Sequence, residues 1–221
     1  ADPIAGRFAV LAAITRLRRL ACNVALVDHG STIASQKLAR FLELASELRE
    51  AGHRALVFSQ FTSHLALIRA ALDASGATSL YLDGQTPASE REQLVRAFQE
   101  GEGDFFLLSL KAGGTGINLT AADYVVHLDP WWNPAAEDQA TDRAHRIGQV
   151  KPVTVVRLVS AGTIEEAVLA LHAQKRDLAE SLLAGKDLAA RLSAQELIEL
   201  VRAGEAGADE GEPTEADEPT D

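Results

Sequence analysis

The chain has 221 residues, a hydrophobic share of 47%, a formal net charge of −11 and one cysteine. That length suits one large α/β domain or one domain with appendages, and the apolar content is enough to bury a real core. A single cysteine excludes an internal disulfide and a cysteine-based zinc site. No apolar run approaches the 18 or more residues of a membrane span and no signal peptide heads the sequence, so a soluble, intracellular chain without a membrane partner is expected.

Residues 4–20 place Phe8, Leu11, Ile14 and Leu17 at helical spacing, which predicts an amphipathic helix with no catalytic group in it. Residues 23–34 lack periodicity and read as a connection. Ser35 offers a cap for a helix to about Ala51, with Leu38, Phe41, Leu42, Ala45 and Leu48 inward. Residues 55–59 form a short apolar run suited to a buried parallel strand, and residues 63–74 return to helical spacing. A strand over 79–83, a helix from Thr86-Pro87 to about Glu100, and a strand over 104–110 follow.

After residue 110 comes Lys111-Ala-Gly-Gly-Thr-Gly-Ile-Asn118, whose glycines at 113, 114 and 116 permit close backbone approach to a phosphate. A strand over 124–129 leads into Asp129-Pro-Trp-Trp-Asn-Pro, where Asn133 caps a helix and Pro134 occupies its first position. This helix is expected to reach about Ile147 and to stop at Gly148. At 100° per residue, Gln139, Arg143 and Arg146 then share one face, within roughly 60°. Trp131 and Trp132 read as packing anchors rather than base-stacking platforms. A fifth strand covers 153–160, Thr163-Ile-Glu-Glu166 is a capping box for a helix to about Leu183, and a further helix spans about 189–202.

Alternating strands and helices predict an open, mainly parallel α/β sheet covered on both faces. In such sheets the carboxyl ends of the strands form the binding edge. Residues 204–221 hold eight acidic and no basic residues, so the net charge divides into −8 in this tail and −3 in residues 1–203. The tail is expected to be disordered. A nearly neutral body is not one that grips DNA strongly by charge alone. The six histidines are scattered without ligand spacing, so no structural metal is expected. Methionine is absent, which suggests a piece of a longer protein.

No Gly-x-x-x-x-Gly-Lys-Ser/Thr phosphate loop occurs in these 221 residues. The arginines therefore read as half of a nucleotide site completed elsewhere. Taken together, residues 55–61, Leu82-Asp-Gly84, residues 109–120, Asp129 to Pro134, residues 139–149 and Thr163-Ile-Glu-Glu166 closely resemble the second RecA-like domain of SWI/SNF-type DNA-translocating ATPases of helicase superfamily two. The resemblance covers roughly residues 10–184 and divides the chain into a connecting segment (1–34), the RecA-like domain (35–184), a helix (185–203) and the acidic tail (204–221).

What the resemblance implies is specific. Arg143 and Arg146 would reach the γ-phosphate of ATP with Mg2+ held mainly by a first lobe, and Gln139 would help couple the lobes. Gly114 and Gly116 would sense nucleotide. Ser59, Gln60, Asp83, Gly84, Ser109, Lys111 and Gly113 would face the DNA backbone. Implied partners are the first RecA-like lobe, double-stranded DNA and RNA polymerase or another nucleoprotein complex, in the nucleoid-containing cytoplasm of a bacterium or the nucleus of a eukaryote. The isolated chain would be inactive. Two other readings stay open: a non-catalytic RecA-like interaction module, and the lobe of a strand-separating helicase.

Overall fold

The computed structural model describes residues 3–112, 117–146 and 148–179, with side chains described over 8–112, 117–146 and 148–172. The expected helix at 185–203, the acidic tail, the end of the last helix beyond 179 and the glycines at 113, 114 and 116 lie outside them. In order, the elements are α1 (Pro3–Cys22), α2 (Gln36–Glu50), β1 (Ala55–Ser59), α3 (Thr62–Ala74), β2 (Ser79–Leu82), α4 (Ala88–Gln99), β3 (Phe105–Ser109), β4 (Tyr124–His127), α5 (Pro134–Thr141), β5 (Thr154–Arg157) and α6 (Ile164–Ala179). A 3-10 turn, Val24–Leu26, lies within the expected connection after α1.

The five strands make one sheet in the order β2-β3-β1-β4-β5, with every pairing parallel. Ala55 lies opposite both Phe105 and Tyr124, so β1 is central and all carboxyl ends share one edge. Because successive strand residues point to opposite faces, the continuous apolar runs of β1 and β3 feed two cores. Val57, Phe105, Leu107 and Val126 join Phe41, Ala45, Leu65, Ile68 and Leu72 on one face. Leu56, Phe58, Phe106, Leu108 and Val125 join Phe98, Ala140 and Ala144 on the other. A third, smaller core packs Ile14 of α1 against Trp132, Ile164, Ala167 and Val168. No helix among the described residues is long and apolar enough to cross a membrane.

The local signals act as expected at α2, where the Ser35 side chain accepts from the Leu38 N–H. At α6 the box is shifted: Thr163 Oγ1 accepts from the Glu165 N–H, while Glu166 reaches back to the Gly162 N–H at 3.0 Å. Two expectations fail. In α1 the buried positions are Ile14, Arg18 and Cys22, one turn apart, while Phe8 is 68% and Leu17 37% exposed. The buried face is therefore rotated away from the apolar stripe, since the pocket it enters accepts a cation.

The second failure concerns α5, which ends at Thr141 rather than near Ile147. The Arg143 carbonyl accepts from the Leu119 N–H at 2.9 Å, and the Gln149 amide donates to the carbonyls of Thr120, Ala122 and Ala144. The N–H groups over 142–146 bond back locally as turns, while the carbonyls of Arg143 and Ala144 are taken by Leu119 and Gln149 instead of continuing the helix. Gly148 does adopt a positive φ, 103°, but within this turn rather than at a helix end.

Candidate functional site

Strand order reverses at β1: the chain runs out to β2, returns through β3 and crosses to β4 on the other side. Open α/β sheets bind ligands in the crevice at such a reversal, beyond the carboxyl ends of the strands. Here those ends are Ser59-Gln60 of β1 and Asp129-Pro130 after β4. Ser59 is fully buried; its hydroxyl donates to Asp129 Oδ2 and accepts from the Phe61 N–H at 3.0 Å. The Gln60 N–H donates to Asp129 Oδ1 at 3.2 Å. Burial pushes the Asp129 carboxyl up to about 6, against the opposing pull of Ser59 and Arg18.

Asp129 thus ties the two central strands together at the crevice. Its neighbours Cys22 and His64 each bring a donor atom within 4.8 Å of it and of one another, all buried. Cysteine, histidine and aspartate are zinc-type ligands, but here both Asp129 oxygens are already engaged and the charges of Arg18 and Lys37 act on the cluster. Two cations oppose entry of a divalent ion. Burial drives the Cys22 thiol well above its ordinary range and lowers His64 to about 3, so both stay neutral. Lys37 is instead paired with Glu165 at 2.6 Å, both side chains almost wholly buried.

The expected nucleic-acid residues divide in two. Ser59 and Ser109 are buried, and the Ser109 hydroxyl accepts from the Ala112 N–H at 3.3 Å. Neither hydroxyl is presented at the surface. Lys111 and Gly84 are exposed, and Gln60 and Asp83 are partly so. Asp83 shapes its own loop, accepting from the Gln85 N–H at 2.8 Å and from Tyr81 Oη at 2.8 Å. Burial would raise its pKa, but these bonds together hold it below the ordinary value.

Gln139, Arg143 and Arg146 do not share a helical face, because α5 stops first. Gln139 and Arg146 are exposed, whereas Arg143 is 3% exposed. Burial, then the charge of Arg146, lowers the Arg143 pKa, with Asp142 opposing. The two guanidinium groups therefore lie within electrostatic reach. The Arg143 Nε is buried without a hydrogen-bond partner, and no ion pair joins Arg143 to a carboxylate among the described residues.

The start of α5 is held as firmly as its end. Asn133 caps it, accepting from the Ala135 N–H at 3.2 Å. Glu137, 1% exposed, accepts from the Trp131 N–H and from Arg157 Nε of β5, both at 2.8 Å. Trp132 is buried, as expected of an anchor. Arg18, Glu137, the Lys37–Glu165 pair and Gln149 were missed in the sequence. For Arg18 the available signal was its place one turn after Ile14.

A wholly parallel five-stranded sheet with helices on both faces and its polar loops along one edge defines a RecA-like α/β lobe. Residues 36–148, just over half of the chain, match the helicase conserved C-terminal domain. The chain belongs to that family, as a carboxyl-terminal ATPase lobe of SWI2/SNF2 type. It is 31% identical to the Sulfolobus solfataricus SWI2/SNF2 ATPase C-terminal domain, covering 88% of this chain and 82% of that one with a TM-score of 0.70. The Sulfolobus solfataricus SWI2/SNF2 ATPase core in complex with double-stranded DNA gives 31% identity and a TM-score of 0.74, covering 91% of this chain and 43% of that one. The chromatin-remodeling ATPase INO80 of Cryptococcus neoformans is 43% identical over 169 residues, 76% of this chain and 10% of the relative. The chain spans between 9% and 21% of the length of the curated relatives it matches.

Proposed function

We propose that this lobe forms one wall of an ATP cleft in a DNA-translocating ATPase, with Arg143 and Arg146 presented to the γ-phosphate of ATP and Mg2+ held mainly by a first RecA-like lobe. The observation that carries the reading is Arg143: its backbone is fixed by the Leu119 N–H, its side chain is covered, and its Nε lacks a partner beside a second arginine. An anion arriving there meets the covered Arg143 guanidinium, sheltered from water where charge–charge attraction is stronger, with the exposed Arg146 within electrostatic reach. Arginine also suits the geometry of phosphate oxygens.

In this reading, double-stranded DNA lies along the carboxyl edge, touched by Lys111, Gly84 and Gln60 and by the glycine loop. The likeness to an ATPase core in complex with double-stranded DNA supports this. A motor that follows a duplex regardless of sequence needs backbone contacts, which fix register without reading bases. The chain alone, with no Walker A loop in its 221 residues, would hydrolyse no ATP; adding the first lobe would restore turnover.

The test is Arg143→Ala and Arg146→Ala in the two-lobed protein, with DNA-stimulated phosphate release as the readout. Loss of an arginine finger costs about 10³- to 10⁵-fold in rate. Hydrolysis that persists undiminished in the double variant overturns the assignment.

A further inference from the structure

The reversal crevice between β1 and β4, where an open sheet of this kind offers its binding edge, is filled by this chain's own Arg18. Its guanidinium donates through Nη1 to Gln60 Oε1 at 2.9 Å and through Nη2 to the Pro130 carbonyl. Three rings surround it: its carbon lies 5.0 Å from the Trp132 centroid, 5.7 Å from Phe61 and 5.9 Å from Trp131. Phe61 opens α3 after β1, and the tryptophans open the segment after β4. The residue is 3% exposed.

We propose that Arg18 is a positioning residue that latches α1 to the carboxyl ends of β1 and β4, and so sets the placement of Gln60 and of the segment leading to the Arg143–Arg146 turn. Cation–π attraction to a desolvated guanidinium and a two-pronged hydrogen bond act together. A lysine keeps the charge but cannot bond Gln60 and Pro130 in one plane while facing three rings. The chain from Trp131 to the arginines is stiff: Glu137 fixes the Trp131 N–H to Arg157 of β5, and His172 of α6 bonds the Trp131 carbonyl. A shift of α1 would therefore be felt at Gln60 and at the start of α5 together. That consequence for turnover rests on the ATPase reading given above; the latch itself does not.

Both tryptophans of the chain belong to the latch, so their fluorescence reports it without any activity. The 221-residue chain is prepared as Arg18→Lys and Arg18→Gln, and melting, tryptophan emission and acrylamide quenching are measured. The expected result is cooperative melting with red-shifted emission and a quenching constant raised severalfold. Unchanged emission and quenching in both variants overturn the latch. Loss of cooperative melting in both also overturns it, because Arg18 would then hold up the whole fold rather than position one edge.

In the two-lobed protein, DNA-stimulated kcat of Arg18→Lys is expected to fall about 10²-fold, as a ~1 Å misplacement of reacting groups can bring, with KM for ATP nearly constant. An Arg143→Ala reference separates the two readings. If Arg143→Ala abolishes hydrolysis and Arg18→Lys leaves kcat intact, the positioning role fails and the finger stands. If Arg143→Ala hydrolyses normally, the finger fails, and altered tryptophan quenching still sustains the latch.

Discussion

Acid should unfold this lobe through two histidines that are buried neutral. His64 is fully buried and His127 is 1% exposed; burial lowers the first to about 3 and the second to about 4. An unfolded histidine titrates near 6.5. Between that value and the folded ones the unfolded chain takes up protons that the folded chain refuses. The stability these groups contribute is therefore complete above about 6.5 and is lost as the pH falls. Asp129 works in the opposite direction. Its folded pKa is raised to about 6, so the folded state binds a proton first and gains stability as the pH falls from about 6 toward 4. From pH 7 to pH 5 each histidine costs about 2 kcal/mol and Asp129 returns about 1.5, a net loss of about 2.5 kcal/mol from these three groups. The assay is urea unfolding of the chain at pH 7, 6 and 5, beside His64→Leu. Other carboxylates contribute to both proteins alike, so the difference isolates His64: the variant should lose about 2 kcal/mol less over that span. Equal losses in the two would refute neutral burial of His64.

Two further outcomes follow from the packing. Lys37→Met leaves Glu165 charged and buried without its partner, and should cost about 3–5 kcal/mol in urea unfolding. Lys37→Met/Glu165→Met should recover most of that loss, and a double variant no better than the single would show that the pair is not the source of it. Gly103 stands at a φ of +76°, and a Cβ there would lie 3.3 Å from Leu80 Cγ. Gly103→Ala should therefore cost about 1–2 kcal/mol, whereas replacement at Gly84, which has open space and no positive φ, should change stability little.

The sheet was legible because each strand signals itself locally. The apolar runs at 55–59 and 105–109 are long enough for a strand, too short for a helix and bounded by polar turns. Caps such as Ser35 and Asn133 act within three residues of themselves. What sequence spacing could not convey was competition from distant groups. Nothing near Asp142 announces that Leu119 will take the Arg143 carbonyl or that Gln149 will bond three carbonyls at once. Arg18 shares the face of Ile14, one turn away, but nothing near it in sequence announces that it will meet three rings. The resemblance places Ser59 and Ser109 toward DNA, while in the structure both are buried at the ends of central strands.

The early end of α5 bears directly on the arginines. A helix continued to Ile147 would set Gln139, Arg143 and Arg146 on one face, within roughly 60°. Stopping at Thr141 instead folds Arg143 under cover while Arg146 stays outside. A buried donor without a partner costs about 1–3 kcal/mol, and the Arg143 Nε is such a donor. In the proposed ATP reading, a phosphate oxygen arriving at Arg143 would give that donor the partner it lacks.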